Sequence, residues 1–315
     1  MSPTQPDWEH GIGRRLKLRD LHVLAEVVRY GSMAKAATHL AMSQPAVSEA
    51  IASLERAVGI RLLDRHAQGV GSTVYADVLI RRTQAVFDEL RQGVQEIDFL
   101  SNPTVGEVRI ACPEFVAAGL LPRAIGTFTE KYPGVAFHIV NQDTTTLKNQ
   151  ELQDRVVDIV LSRLPSGFED DDLNAERLFN DPHWIIAGLN SPWARRRKIR
   201  LEELADQPWI LPPSPVIFDL LSAGFQSRGA SLSNVSVTSA SLLLRTELLA
   251  TGRFISVMHA SILVKNAKTW GLKRLNVDVD LVSPPISLIT LKKRTPSPVV
   301  QRFIEHVRAI AASGR

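Results

Sequence analysis

Residues 41–59 read AMSQPAVSEAIASLERAVG, and a single helix over 44–58 fits them. Ser43 is a residue type that caps a helix N-terminus, Pro45 suits the first turn, and Gly59 can take the left-handed stop. Val47, Ile51, Leu54 and Val58 recur at i, i+4, i+7 and i+11, which makes one apolar stripe to bury. The opposite face carries Gln44, Pro45, Ser48, Glu49 and Ala52, all small or hydrogen-bonding. Nothing bulky on that face would hold the helix out of a DNA groove.

The flanking residues supply the rest of a DNA-binding unit. Leu18, Leu21, Leu24 and Val28 have helical spacing, and Gly31 ends that helix. Ser32 caps a second, alanine-rich helix over 33–40, and Ala41-Met42 turns into the third. Helix, short helix, tight turn, helix is the order of a helix-turn-helix, although a plain three-helix cap has the same order. Residues 60–65 and 70–74 read as two strands around a turn at 66–69, a hairpin that would serve as a wing. Arg61 and Arg65 on it are either phosphate contacts or ordinary surface charges. Residues 14–75 hold nine Lys/Arg against five Asp/Glu, whereas 76–100 hold three against five. The positive excess therefore surrounds the third helix, although a solvated surface would tolerate the same bias.

With LRDLHVLAEVVRYGSMAKAATHL, SQPAVSEAIASLE, GIRLLDR and TVYA in place, residues 16–76 resemble the winged helix-turn-helix of LysR-type transcriptional regulators. The resemblance implies sequence-specific binding of double-stranded DNA, with Ser32, Ser43, Gln44, Pro45, Ser48 and Arg65 as the contact set. Two positions depart from the family pattern: Glu49, where many members are basic, and Tyr75-Ala76 at the start of the next helix. Glu49 either points aside from phosphate or selects a base such as cytosine.

A proline-free stretch over 74–100 predicts a helix roughly 40 Å long at 1.5 Å per residue. Leu79, Val86, Leu90 and Ile97 stripe it as in a short coiled coil, or as in a helix packed on the chain's own body. The family resemblance implies a linker that pairs two subunits as a homodimer or homotetramer. Ser101-Asn102-Pro103-Thr104 then breaks the helix, and strand and helix patterns alternate to the end, which reads as a parallel α/β sheet. Strands are expected at 108–111, 135–140, 156–161, 183–189, 209–211, 235–237, 254–258 and 286–292. Helices are expected at 115–131, 146–154, 218–228, 241–250 and 299–311.

LLPRAIGTFTEKYPGV, VVDIVLSRLP and ATGRFISVMHAS in this part resemble the family's effector domain, which has the fold of periplasmic solute-binding proteins. The expected fold class is α/β overall. It comprises a flexible tail (1–15), a winged helix-turn-helix (16–74), a linker helix (75–100) and a two-lobed effector domain (101–315). The resemblance divides that domain into lobe I, 105–163 with 269–310, and lobe II, 164–268.

Ligands of open α/β sheets sit beyond the carboxyl ends of the strands. Glu114 and Phe115 open a helix there, Thr144 and Thr145 offer hydroxyls, and Arg163 follows a strand. Arg163 would line the cleft, or neutralise Asp158 or the acidic run 169–172. Ser214, Phe218, Met258 and His259 hold the corresponding ends in the second lobe, with Phe218 and Met258 also readable as core. The expected effector is a small molecule, an organic anion by the hint of Arg163.

Enzymatic signals are poor. The eight histidines form no HxxxH or HExxH pattern, the single cysteine cannot form an internal disulfide, and no phosphate-binding GxxxxGK is present. No metal and no cofactor is expected. Cys112 is either a small cleft-wall residue or a thiol activated near a helix start. The run Arg195 to Lys198 is either a solvated loop or a second nucleic-acid contact. No apolar run reaches membrane-spanning length and the N-terminus lacks a signal-peptide middle, so a cytoplasmic regulator is expected, with RNA polymerase a further candidate partner. The alternative is a cytoplasmic small-molecule binding protein or enzyme with a helical assembly domain.

Overall fold

Three helices and a hairpin form the N-terminal unit of the computed structural model, which describes residues 15–66, 69–141, 150–164 and 167–313. Helix α1 (Leu18–Tyr30) stops at Gly31, whose φ of 61° is left-handed. Its buried face carries Leu21, Val23, Leu24 and Val27, while Leu18 is exposed. Helix α2 (Met33–His39) starts at Ser32, whose hydroxyl accepts the Lys35 N–H at 3.4 Å. The turn passes through Ala41 at φ 51°, left-handed for a non-glycine residue, and brings the Met42 N–H to the Ala37 carbonyl at 2.9 Å. Helix α3 (Gln44–Val58) is capped by Ser43, which accepts from the Ala46 N–H at 3.3 Å, and it ends at Gly59 with φ 76°. The expected stripe is buried at Val47, Ile51 and Leu54, joined by Ala50. Together with Leu24, Val27, Ala36 and Leu62 these residues make one core. Each large side chain fully buried there contributes about 1.5–3 kcal/mol.

The wing is strand β1 (Leu63–His66) paired antiparallel with β2 (Gly69–Ser72). Glu55, near the end of α3, holds its base: Oε1 accepts the Leu62 and Leu63 N–H groups at 2.8 and 3.3 Å. Its other tether is the Val70 N–H, which donates to the Gly31 carbonyl at 3.0 Å. Gly69 sits at φ 138°, and a Cβ there would lie 2.7 Å from that same carbonyl oxygen. Only glycine fits the approach.

Helix α4 (Val74–Ser101) has 28 residues, nearly as expected. Thr73 caps it, accepting from the Ala76 N–H at 3.2 Å, so Tyr75-Ala76 enters the helix in regular geometry. Leu79 packs on the first unit's core, whereas Val86, Leu90 and Ile97 are exposed. The chain divides into two units, Met1–Val94 and Gln95–Arg315.

The second unit holds two five-stranded sheets. The first is built from β3 (Val105–Cys112), β4 (Gly134–Asn141), β5 (Ile159–Arg163), β6 (Leu173–Phe179) and, late in the chain, β12 (Ile286–Leu291). Its order is β4-β3-β5-β12-β6. The second sheet has β7 (His183–Gly188), β8 (Trp209–Leu211), β9 (Val235–Thr238), β10 (Ile255–His259) and β11 (Leu272–Arg274) in the order β11-β7-β10-β8-β9. Both sheets are mixed, not wholly parallel: β12 runs antiparallel to β5 and β6, and β7 antiparallel to β10 and β11. Lobe limits at 163/164 and 268/269 also shift, because residues 173–179 belong to the first sheet and 272–274 to the second.

Helices α5 (Glu114–Gly119), α6 (Leu121–Lys131), α7 (Gln150–Gln153), α8 (Pro215–Gln226), α9 (Leu242–Ala250), α10 (Ala260–Asn266) and α11 (Pro298–Ser313) accompany the strands. The single helix expected over 115–131 is two helices, broken beside Pro122. A proline ring clashes with the carbonyl four residues back and offers no N–H. Of the helix expected over 146–154, positions 146–149 lie outside the described residues. Among those described, no helix is long and apolar enough to cross a membrane.

Candidate functional site

Gln44 and Pro45 are exposed on the first turn of α3, as a groove-reading face requires. Ser48 is half-buried beside α2, with its hydroxyl 3.7 Å from the Met33 sulfur. Ser32 and Ser43 accept backbone N–H groups as caps, which leaves each hydroxyl proton able to donate to a phosphate oxygen. Glu49 is not a bare charge: its Oε1 lies 2.5 Å from Arg56 Nη2, two turns along the same helix. Arg65 stands opposite Val70 on the wing, and its side chain lies outside the described residues.

Beside α3 is a surface hollow of about 430 Å³ lined by Arg15, Lys17, Ser53, Arg56 and Ala57. Sequence reading missed this cationic hollow as a unit, although the basic run before α1 was its visible signal.

In the second unit Glu114, Phe115, Arg163 and His259 come together. The Phe115 and His259 rings stack at 4.0 Å and 14°, and the Arg163 guanidinium lies 5.5 Å from the Phe115 centroid. Both terminal nitrogens of Arg163 are engaged by the protein, whereas its buried Nε has no partner: Nη1 donates to the Pro284 carbonyl, and Nη2 donates to the Asp181 carbonyl and to His259 Nδ1, the latter at 3.1 Å. One guanidinium thus ties together both segments that cross between the sheets. Asp158 is neutralised elsewhere, by Arg109 and Arg294.

Accepting from Arg163 puts the His259 proton on Nε2. Burial first, then His183, Arg163 and Arg245, pushes His259 well below the ordinary histidine value. Burial and Arg163 bring His183 down to about 3, and its Nδ1 lies 2.8 Å from the Ser283 hydroxyl. Burial likewise lowers Arg163 to about 10, against the pull of Asp181. The Asp181 carboxylate accepts the Ser261 N–H and hydroxyl at 2.9 and 2.8 Å. Local spacing could not have revealed that Asp181, His183, Ser261 and Ser283 gather around Arg163 and His259.

Glu114 reaches across to α9, where its Oε1 accepts the Leu242 N–H at 3.4 Å. Ser214 is half-buried at the start of α8 and Phe218 is 47% exposed on it. Among the described residues neither bonds to the Arg163 cluster. Met258 is core. Thr144 and Thr145 lie outside the described residues.

Cys112 is fully buried, and burial pushes its thiol up to about 12, the reverse of activation. Native chain should therefore resist thiol reagents at pH 8, while urea-unfolded chain reacts once per molecule. Fast labelling of the native chain would contradict this burial. Arg195 to Lys198 are exposed, with Arg196 paired to Glu203 at 2.5 Å. Among the described residues no group of three metal-ligating side chains occurs.

Residues 18–76 match the family model for the bacterial regulatory helix-turn-helix protein of the lysR family, and residues 101–312 match the LysR substrate binding domain. The HTH-type transcriptional regulator YybE of Bacillus subtilis is 28% identical over 196 residues, 62% of this chain and 66% of that protein. GbpR of Azospirillum brasilense, also an HTH-type transcriptional regulator, is 24% identical over 297 residues, 94% of this chain and 86% of GbpR. Full-length CbnR solved in complex with its target DNA shares the fold, with TM-score 0.64, 20% identity, and coverage of 94% of this chain and 100% of CbnR. With a helix-turn-helix match followed by a substrate-binding match that alone spans more than half its length, the chain belongs to the LysR family of DNA-binding transcriptional regulators.

Proposed function

We propose that this regulator reads a two-fold related DNA site through α3 and responds to a small organic anion bound between the two sheets of its second unit. The observation that carries the DNA assignment is the N-terminal turn of α3: exposed, short and polar over a buried apolar face. Gln44 and Pro45 meet base edges in the major groove, with Ser48 alongside. Ser32, Ser43, Arg65 and the Arg15–Lys17 hollow meet phosphates. The Glu49–Arg56 pair lets an acidic group sit beside DNA without a net like-charge penalty.

Two copies pair through the exposed Val86, Leu90 and Ile97 stripe of α4, presenting two copies of α3 to the two half-sites. Ligand between the lobes changes the geometry of that assembly and its engagement with RNA polymerase. The chain acts in the cytoplasm and catalyses no reaction.

The test is footprinting on the DNA upstream of the protein's own gene. A discrete footprint is expected at physiological salt, with log affinity falling linearly with log salt at about −0.9 per phosphate contact. No footprint at that salt would overturn the DNA reading.

A further inference from the structure

Both terminal nitrogens of Arg163 are held by protein acceptors and only its buried Nε is unpartnered, so a ligand carboxylate that needs a two-donor fork must find it elsewhere, and Arg245 on α9 supplies it. Its Nε is shielded from solvent and has no hydrogen-bond partner. Burial holds this guanidinium below its ordinary pKa, with the Glu114 carboxylate as the charge that offsets the effect. Arg245 lies one turn beyond Leu242 on α9, at the helix end that Glu114 reaches, and its charge also depresses the His259 ring. A buried guanidinium with an unfilled donor is destabilising until an acceptor arrives. A carboxylate matches its fork with two parallel bonds.

One carboxylate is already close. Glu114, from α5 on the first sheet's side, accepts the Leu242 N–H at the start of the same helix that carries Arg245. At 3.4 Å this bond is long, and it joins the two lobes across the site. Glu114 thus occupies ground that a ligand carboxylate would take, without closing an ion pair with Arg245.

We propose that Arg245 is the anion-binding residue of the interlobe site and that Glu114 is its internal competitor, displaced from Leu242 when a small carboxylic acid binds. This rests on the reading of the second unit as an effector domain and goes further, to the ligand's chemical class and the contact it releases.

The experiment follows thermal unfolding of the full chain with acetate, succinate, benzoate and citrate at 10 mM, against the matching amides at equal ionic strength. At least one acid should raise the midpoint while its amide does not. R245M should abolish that shift, and R245K, which keeps the charge but loses the fork, should weaken it. E114Q should lower the half-saturating concentration threefold or more. Without ligand, R245M should melt no lower than the parent, since it removes an unsatisfied buried donor. The inference is overturned if no acid shifts the parent, if R245M keeps the shift, if E114Q weakens it, or if ligand-free R245M is destabilised. Footprinting of the same variants reads DNA binding separately, so a failed footprint with an intact Arg245-dependent shift would sink the DNA reading alone.

Discussion

Asp158→Ala should lower the stability of the second unit by about 3–5 kcal/mol at pH 7, the usual cost of removing one partner from a buried charge network. Asp158 follows Val157 into β5 and is 8% exposed. Its Oδ2 accepts the Arg109 backbone N–H at 2.9 Å and Arg109 Nε at 3.3 Å; its Oδ1 accepts Arg109 Nη2 at 2.9 Å and Arg294 Nη2 at 2.6 Å. Arg294 is itself buried and also donates to the Val157 carbonyl at 3.1 Å. Alanine would leave two desolvated guanidiniums without their shared carboxylate. Burial alone would raise the Asp158 pKa, but the Arg109 bonds and both positive charges outweigh it and hold the group below its ordinary 3.8. A carboxylate depressed on folding contributes fully above its unfolded pKa, and the contribution is lost as pH falls through the folded value. Urea unfolding should therefore show the gap between parent and variant at pH 7 and a narrowing below pH 3.8. A gap that is absent at pH 7, or unchanged in acid, would contradict the network.

What could be read from the sequence was what local rules write. Ser32, Ser43, Gly31 and Gly59 mark helix ends by the chemistry of capping, and the structure uses each of them so. The Val47–Ile51–Leu54 stripe is a periodic signal and is buried as such. Strand β6 escaped because LNAERLF buries only Leu173 fully on an outer strand, so it carries no alternation. Strand β11 has three residues, too few for any period. Helix α10 begins directly after His259, with no turn residues to announce it. The site residues divide the same way. Arg163 and His259 were visible as strand ends, but Arg163's partners come from segments around 181, 259 and 284, and only the fold brings them together. Arg245 sits within a helical leucine run, where no local pattern marks it as facing the site.

Gln44→Ala should lower affinity for the natural site about 10- to 100-fold and leave the fold intact. Gln44 is exposed on the first turn of α3, so its removal opens no cavity. A glutamine bonded to adenine through both amide atoms contributes about 1–3 kcal/mol of discrimination, which sets that range. The change leaves the Arg15–Lys17 hollow, the proposed phosphate-binding surface, as it is, so non-specific binding and the salt slope should stay as they are. The most direct test of α3 as the reading element is the ratio of specific to non-specific affinity, measured for parent and Gln44→Ala across a salt series. That ratio should fall by the same roughly 10- to 100-fold at an unchanged slope. An unchanged ratio, with the same footprint, would contradict it.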